Sequence, residues 1–237
     1  MEAPPLDSTQ VHVWTVSLQS ASEALPDLCL ELTSDERARA DRFATPQLRR
    51  RFIVARVFLR RLLTAYAPVH PSGLRIGYGS NGKPCLVDAP ELRFNVSHAD
   101  DTAMYAIASE REVGIDIEAT MRNVDVDAVA GHAFSASECE VLAALAPDAR
   151  RDAFFRIWTR KEAYVNARGE GLSYPTRSLT VSHDGDDNAL IADERDERAR
   201  DRWRVWGLDA PPGFAAALAA ESQDRTVLRF DAALLPR

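Results

Sequence analysis

The sequence predicts an α+β protein made of two similar halves in one chain. A long helical pattern followed by strand-like segments occurs twice, at 46–78 and at 149–183. Segments that alternate apolar and polar residues, typical of antiparallel strands, fill the middle and the end of the chain. Because 237 residues suffice for two small domains, we expect a first half at 1–118 and a second half at 119–237.

The first half is predicted to begin with a strand at 11–18, where VHVWTVSL alternates apolar and polar residues. A helix capped by Thr33 or Ser34 should run to about residue 43, and Pro46 suits the first turn of a longer helix that reaches about residue 66. The Asn-Gly pair within 80–86 predicts a turn. Strands are expected at 74–79, 93–98, 102–108 and 112–118, the second and third joined as a hairpin.

The second half is predicted to start with helices at about 124–133, 136–145 and 149–168. Ser135 can cap the second of them, and Gly169 ends the third. Further strands are expected at 178–183, 202–208 and 214–221. The charge-rich stretch 184–201 is interpreted as a mobile surface excursion.

Composition and charge exclude several classes of protein. A net charge of −7 argues against a nucleic-acid binder, and the absence of any run of 18 apolar residues argues against a membrane protein. The N-terminus has no signal-peptide pattern, and three scattered cysteines form neither a metal motif nor a disulfide framework, so we expect a cytoplasmic protein. Residues 37–61 nevertheless carry nine arginines against one aspartate, which indicates a local anionic ligand.

The lysine count singles out two positions. Of 29 basic residues, only Lys83 and Lys161 are lysines. Arginine otherwise replaces lysine throughout, so these two positions either need a compact ammonium group or have kept lysine by chance.

Three further segments contain residues that suit a chemical role. In GIDIE, Asp116 and Glu118 lie two residues apart on a strand and share one face, where oxygen ligands suit Mg²⁺ or Mn²⁺; a solvent-facing acidic edge is the alternative. Glu162 could add a third carboxylate and Lys161 a phosphate counter-charge, unless both are an exposed pair on an amphipathic helix. Ser97 and His98 point to opposite faces of a strand, so a phosphate contact suits His98 better than a nucleophile–base pair.

Taken in order, these segments resemble the Sfp-type 4′-phosphopantetheinyl transferases, in the branch with a Trp-Lys-Glu-Ala signature. The matching stretches are the arginine-rich region from RARADRF onward, NGKPCL, FNVSHADD, VGIDIE and FRIWTRKEAYVNARGEGL. The resemblance implies two pseudo-symmetric α+β halves with the active site at their junction. It also implies transfer of the 4′-phosphopantetheine arm of coenzyme A to a serine of an acyl or peptidyl carrier protein, with release of adenosine 3′,5′-bisphosphate. Such carriers serve polyketide, nonribosomal peptide or fatty acid synthesis.

The resemblance also assigns roles to residues of this chain. Mg²⁺, which Mn²⁺ can replace, would be bound by Asp116, Glu118 and Glu162. Glu162 and Lys161 would be catalytic. Coenzyme A would be bound by Arg51, Arg56, Lys83, Ser97, His98 and Lys161. We expect a monomer that binds neither nucleic acid nor membrane.

One position departs from the family pattern, which has a lysine where this chain has Asn166. Asn166 lies one helical turn after Glu162 and should face the same site. Two other functions stay open, the first supported by Asn166 and the second by the same carboxylates. One is a catalytically impaired coenzyme A-binding module, and the other is a different Mg²⁺-dependent phosphate-transfer enzyme or hydrolase.

Overall fold

A mixed four-stranded sheet, an antiparallel three-stranded sheet and two long helices form the framework of the protein. The computed structural model describes residues 3–19, 25–67, 73–185, 187–221 and 226–232. The strands are β1 Gln10–Ser17, β2 Ile76–Tyr78, β3 Pro84–Leu86, β4 Leu92–Ala99, β5 Thr102–Ser109, β6 Val113–Ala119, β7 Leu179–Val181, β8 Leu190–Asp193, β9 Trp203–Leu208, β10 Phe214–Glu221 and β11 Thr226–Ala232. The helices are α1 Leu25–Leu30, α2 Ser34–Ala40, α3 Pro46–Tyr66, α4 Val126–Ala133, α5 Ala136–Ala144, α6 Pro147–Arg168 and α7 Ala199–Arg202, and two short 3₁₀ turns lie at Gly171–Ser173 and Thr176–Ser178.

The first sheet has the strand order β11-β1-β5-β4, and α3 packs on one face of it. Helix α3 begins where the Thr45 side chain accepts a hydrogen bond from the backbone of Leu48, with Pro46 in the first turn. Phe58 on α3 packs against Tyr105 on β5, and the Tyr105 hydroxyl donates to the α3 backbone. Burial of this apolar face stabilises the first half.

The second sheet has the order β6-β10-β9 and is covered by α6 on one face. Its other face packs against the first sheet through a shared apolar layer that includes Val13, Met104, Ile115, Ile117 and Leu218. Because side chains alternate along a strand, the inward-facing Ile115 and Ile117 leave the even-numbered residues of β6 on the side of α6.

The predicted class is confirmed, and most predicted elements are present within a few residues of their expected bounds. Sequence reasoning missed α1, β3, β8, α7 and β11. The stretch 184–201 contains β8 and α7, and Asp193 in β8 is almost fully buried. The prediction that this stretch is a mobile surface excursion is therefore wrong for its described residues, which do not include 186.

The predicted division after residue 118 does not follow the sheets. Strand β6 belongs to the sheet of the second half, and β11 pairs in parallel with β1 in the sheet of the first half. By sheet membership, β6 therefore belongs with the second half, and β11 belongs with the first half. In the described segments, no helix is both long and apolar enough to cross a membrane.

Candidate active site

Asp116 lies on the face of β6 that is turned towards α6, and it is 8% exposed. Its Oδ1 accepts a hydrogen bond of 2.8 Å from the Ser97 hydroxyl, whereas its buried Oδ2 has no partner among the described residues. Burial raises the pKa of Asp116 to about 8; the bond from Ser97 opposes this shift, and the negative charges of Glu118 and Glu162 add to it. An unpaired buried carboxylate oxygen of this kind is suited to a cation.

Glu118, two residues along the same strand, is held by two neighbours. The Trp158 indole of α6 donates to its Oε1 at 3.2 Å, and Arg122 donates to its Oε2 at 2.8 Å. Within the part of the chain that the structure describes, no three His, Cys, Asp or Glu side chains stand close enough to form a complete metal site. The three carboxylates therefore interact electrostatically, but their oxygen atoms do not come close enough together to surround a metal ion.

Glu162 on α6 is half-buried, and burial together with the charge of Glu118 raises the pKa of its carboxyl group. The helix approaches β6 very closely here. A Cβ atom at Gly114 would lie 2.2 Å from the Ala163 carbonyl oxygen and 2.2 Å from the Ala167 nitrogen, so only glycine allows this contact. This close packing brings Glu162 within electrostatic reach of the carboxylates of β6.

Strands β4 and β6 belong to different sheets, and two side chains of β4 accept hydrogen bonds from backbone amides of β6. Asn95 accepts a hydrogen bond of 2.8 Å from the Ile115 amide, and the Ser97 hydroxyl accepts one of 3.2 Å from the Ile117 amide. The single hydroxyl hydrogen of Ser97 is donated to Asp116, and the contact of Ser97 with coenzyme A stays a prediction. Ser97 fixes the orientation of Asp116 at the junction of the two sheets.

His98, the next residue of β4, is exposed and points to the opposite side from Ser97, as the alternation predicts. Desolvation by its surroundings and the positive charge of Arg51 lower the pKa of His98. Arg51 donates to Asp101 at 2.8 Å and lies 3.8 Å from a carboxylate oxygen of Asp100. Arg51 and His98 thus remain neighbours on the surface of the first half.

Arg56 lines a cavity of about 440 Å³ between α2, α3 and β2 and forms an ion pair of 2.6 Å with Glu36. Four more arginines line the same cavity, namely Arg39, Arg42, Arg60 and Arg75. The arginine-rich stretch 37–61 was the signal in the sequence for three of them, but the particular set was not predicted. The cavity suits an anionic ligand.

Two family models match adjoining parts of the chain, one described as the 4′-phosphopantetheinyl transferase superfamily over 112–219 and one as the N-terminal part of 4′-phosphopantetheinyl transferase over 14–112. The chain is 40% identical over 169 residues to the 4′-phosphopantetheinyl transferase HetI of Nostoc sp., which covers 70% of this chain and 71% of the relative. It is 28% identical over 193 residues to the 4′-phosphopantetheinyl transferase Sfp of Bacillus subtilis, covering 81% of this chain and 84% of that relative. The chain belongs to the 4′-phosphopantetheinyl transferase family.

Lys83, which was predicted to bind coenzyme A, is bonded within the protein. Its ammonium group donates to Glu112 at 2.6 Å, to the Val113 carbonyl at 3.0 Å and to the Ala167 carbonyl at 2.7 Å. These three protein acceptors match the three hydrogens of the ammonium group, and the contact of Lys83 with coenzyme A stays a prediction. Lys83 ties the β2–β3 hairpin to the end of α6.

Lys161 lies on the other side of α6 from Asp116 and is likewise bonded within the protein. It is 1% exposed and faces the interior of the second half, where it pairs with Glu138 at 2.5 Å. The structure therefore does not bring Lys161 together with Asp116 and Glu162, because its ammonium group is enclosed on the side of α6 away from β6, and the catalytic and coenzyme A-binding roles predicted for Lys161 stay predictions.

Asn166 does face the site, as predicted, and its amide donates to the Ile115 carbonyl at 3.2 Å. Arg168 lies elsewhere. It donates to the Tyr164 hydroxyl at 3.0 Å and to the Glu170 carboxylate at 2.7 Å. The Arg168 side chain is thus bonded to Tyr164, Glu170 and Asp193 and not to the groups around Asn166.

Proposed function

We propose that this transferase moves the 4′-phosphopantetheine arm of coenzyme A to a serine hydroxyl of an acyl or peptidyl carrier protein and requires Mg²⁺, which Mn²⁺ can replace. The observation that supports a metal most directly is the buried Oδ2 of Asp116, which has no partner in the described chain and lies near two further carboxylates. A divalent cation would neutralise these charges and polarise the pyrophosphate of coenzyme A.

Asp116, Glu118 and Glu162 are the proposed metal ligands. Asp116 already carries a free oxygen, and Ser97 holds its other oxygen in place. Glu118 has to give up its bond to Arg122, which is exposed and can turn into solvent. The raised pKa values of Asp116 and Glu162 in the absence of a cation fit carboxylates that a bound cation is meant to compensate.

The proposed reaction forms a bond between the carrier serine oxygen and the phosphorus atom that bears the pantetheine arm. The bond from that phosphorus to the bridging oxygen breaks, and the electron pair leaves with adenosine 3′,5′-bisphosphate. Glu162 takes the proton of the serine hydroxyl. Because such displacements depend mainly on positioning and charge, His98 and Arg51 would hold the pyrophosphate, and Arg56 would reach the 3′-phosphate or the adenine.

The decisive experiment is intact-mass analysis of apo-carrier proteins after incubation with the enzyme, coenzyme A and Mg²⁺. The expected result is a mass gain of one phosphopantetheine group, which disappears with a chelator and in a carrier whose serine is changed to alanine. Cleavage of coenzyme A without carrier modification would favour a hydrolase. Binding of coenzyme A without any turnover would favour an impaired binding module.

The same assay, run on a panel of carriers, identifies the pathway that the enzyme serves. A cytoplasmic location and a monomeric state stay predictions. Gel filtration with light scattering tests the oligomeric state.

A further inference from the structure

A buried ion pair lies on the opposite side of α6 from the candidate active site. The Lys161 ammonium and the Glu138 carboxylate are 2.5 Å apart, and their side chains are only 2% and 3% exposed. The Phe134 ring lies 5.1 Å from the ammonium nitrogen. Two charges removed from water in this way need close pairing and full hydrogen bonding to be tolerated.

The pair has both. Lys161 also donates to the Ala133 carbonyl at 3.2 Å and to the Thr176 carbonyl at 2.9 Å. Glu138 accepts bonds of 2.8 Å from the backbone amides of Ser135 and Val181. One ion pair therefore ties α6 to the end of α4, the start of α5, the second 3₁₀ turn and β7.

The geometry of the helix connects this pair to the active site. Successive residues of an α-helix point about 100° apart, so Lys161 and Glu162 face different sides. On one side of α6, Lys161 bonds to residues of the second half. On the other side, the backbone of α6 at Ala163 and Ala167 packs directly against Gly114 of β6. Helix α6 is thus held from two sides, and its rotation about its own axis decides whether Glu162 faces Asp116.

We propose that Lys161 is a positioning residue, which acts through Glu138 to set the rotation of α6 and so the place of Glu162. The proposal rests on the role of Glu162 in the function proposed above. It assigns no contact between Lys161 and coenzyme A, the carrier or a metal.

Single substitutions and a double substitution separate positioning from chemistry. Lys161→Met removes the charge with little change in length, and Glu138→Gln removes the partner charge while keeping an acceptor for the Val181 amide. Each single change leaves a buried charge or several buried carbonyls unpaired. We expect each to lower the melting temperature by about 6–15 °C and kcat by roughly 10- to 100-fold, because Glu162 loses its place.

The double variant, Lys161→Met with Glu138→Gln, leaves no unpaired buried charge, although the Ala133 and Thr176 carbonyls still lose the lysine as a donor. Replacing both partners of a buried ion pair is often neutral for stability, so we expect it to regain most of the melting temperature and most of kcat. Where Lys161→Met alone does not fold, Glu138→Gln and the double variant make the same comparison.

Three outcomes overturn the proposal. A double variant that regains its melting temperature but not kcat shows that the lysine itself takes part in the chemistry. Glu138→Gln with wild-type kcat shows that the pair does not position the helix. A double variant that regains neither property shows that Lys161 does not act through Glu138.

Two further variants separate this proposal from the proposed function. Arg156→Ala, at an exposed residue of the same helix, should leave both the melting temperature and kcat unchanged. Glu162→Gln tests the role of Glu162 directly. Full transfer by Glu162→Gln contradicts the proposed function, whatever the ion-pair variants do to the melting temperature.

Discussion

The two halves of the protein use the same arrangement, a long helix packed on a sheet, to present opposite charges. In the first half, α3 carries arginines such as Arg51 and Arg56, which pair with acidic residues and reach the surface or the basic cavity. In the second half, α6 packs so closely on β6 that Gly114 has no room for a side chain, and Glu162 faces the strand that carries Asp116.

This difference indicates how one architecture can hold an anionic substrate and the acidic residues that act on it. Long arginine side chains reach a ligand from a distance, whereas short carboxylates require two backbones to come together. The first half is therefore expected to control affinity for coenzyme A, and the second half to control turnover.

The largest expected effect lies in the second half. Asp116→Ala should reduce transfer by on the order of 10³-fold while the protein stays folded, because it removes the carboxylate oxygen that has no protein partner. Transfer kinetics in saturating Mg²⁺ and a melting curve check this. Asp152→Ala, at an exposed acidic residue of α6, is the control and should behave as wild type. Near-normal turnover by Asp116→Ala would remove the metal assignment.

In the first half, changes should affect binding more than turnover. His98→Ala and Arg56→Ala are each expected to raise KM for coenzyme A by about tenfold, with a smaller effect on kcat, because each removes one charge-assisted contact to a phosphate. With dephospho-coenzyme A, the residue that contacts the 3′-phosphate should show no further loss on mutation. A fall in kcat at unchanged KM would break the proposed division between the halves.

The pH dependence of stability sharpens the comparison. Since burial raises the pKa of Asp116 to about 8 in the folded protein, ionisation of this group opposes folding as pH rises from its ordinary value near 4 towards 8. Without metal, Asp116→Asn should therefore become more stable than wild type above pH 8 and lose this advantage below about pH 4. Melting curves in chelator between these pH values measure the difference. A constant difference would contradict the raised pKa.

The smallest effect is expected at Asn166. A lysine there could still donate to the Ile115 carbonyl and would add a positive charge beside the proposed pyrophosphate site. We expect Asn166→Lys to match wild-type kcat or exceed it by up to about tenfold. Arg168→Ala should lower the melting temperature and leave kcat nearly unchanged, because Arg168 bonds to Tyr164 and Glu170. A slower Asn166→Lys together with a crippled Arg168→Ala would show that Arg168 does compensate.

Local patterns in the sequence predicted the framework well. The periodic apolar residues of α3 and the alternation in β6 were sufficient, and the same alternation placed Asp116 and Glu118 on one face with Ile115 and Ile117 in the core. The resemblance to a family supplied the chemistry, which the spacing of two carboxylates alone left open.

The two lysines show why the rest could not be predicted. Helix α6 is buried on nearly every side, so its apolar periodicity does not indicate which face meets β6, and the burial of Lys161 on the face away from β6 could not be read from it. For Lys83, the deciding acceptors are Glu112, Val113 and Ala167, which are distant in sequence and are brought together by the fold alone. Strand β11 was missed for a related reason, since its partner β1 lies at the other end of the chain.

The pairing of β11 with β1 has a consequence for synthesis of the protein on the ribosome. Phe230 of β11 stacks on Trp14 and packs against His12, so one edge of β1 stays unpaired until β11 has been synthesised. At roughly 5–20 residues per second, about 10–40 s pass between translation of β1 and translation of its partner. During that interval, β1 exposes unpaired backbone groups and an aromatic surface to other nascent chains. A chain that is truncated before β11 would therefore contain Asp116, Glu118 and Glu162 but would lack the strand that pairs with β1. We expect chaperones to bind such a chain at the exposed edge of β1.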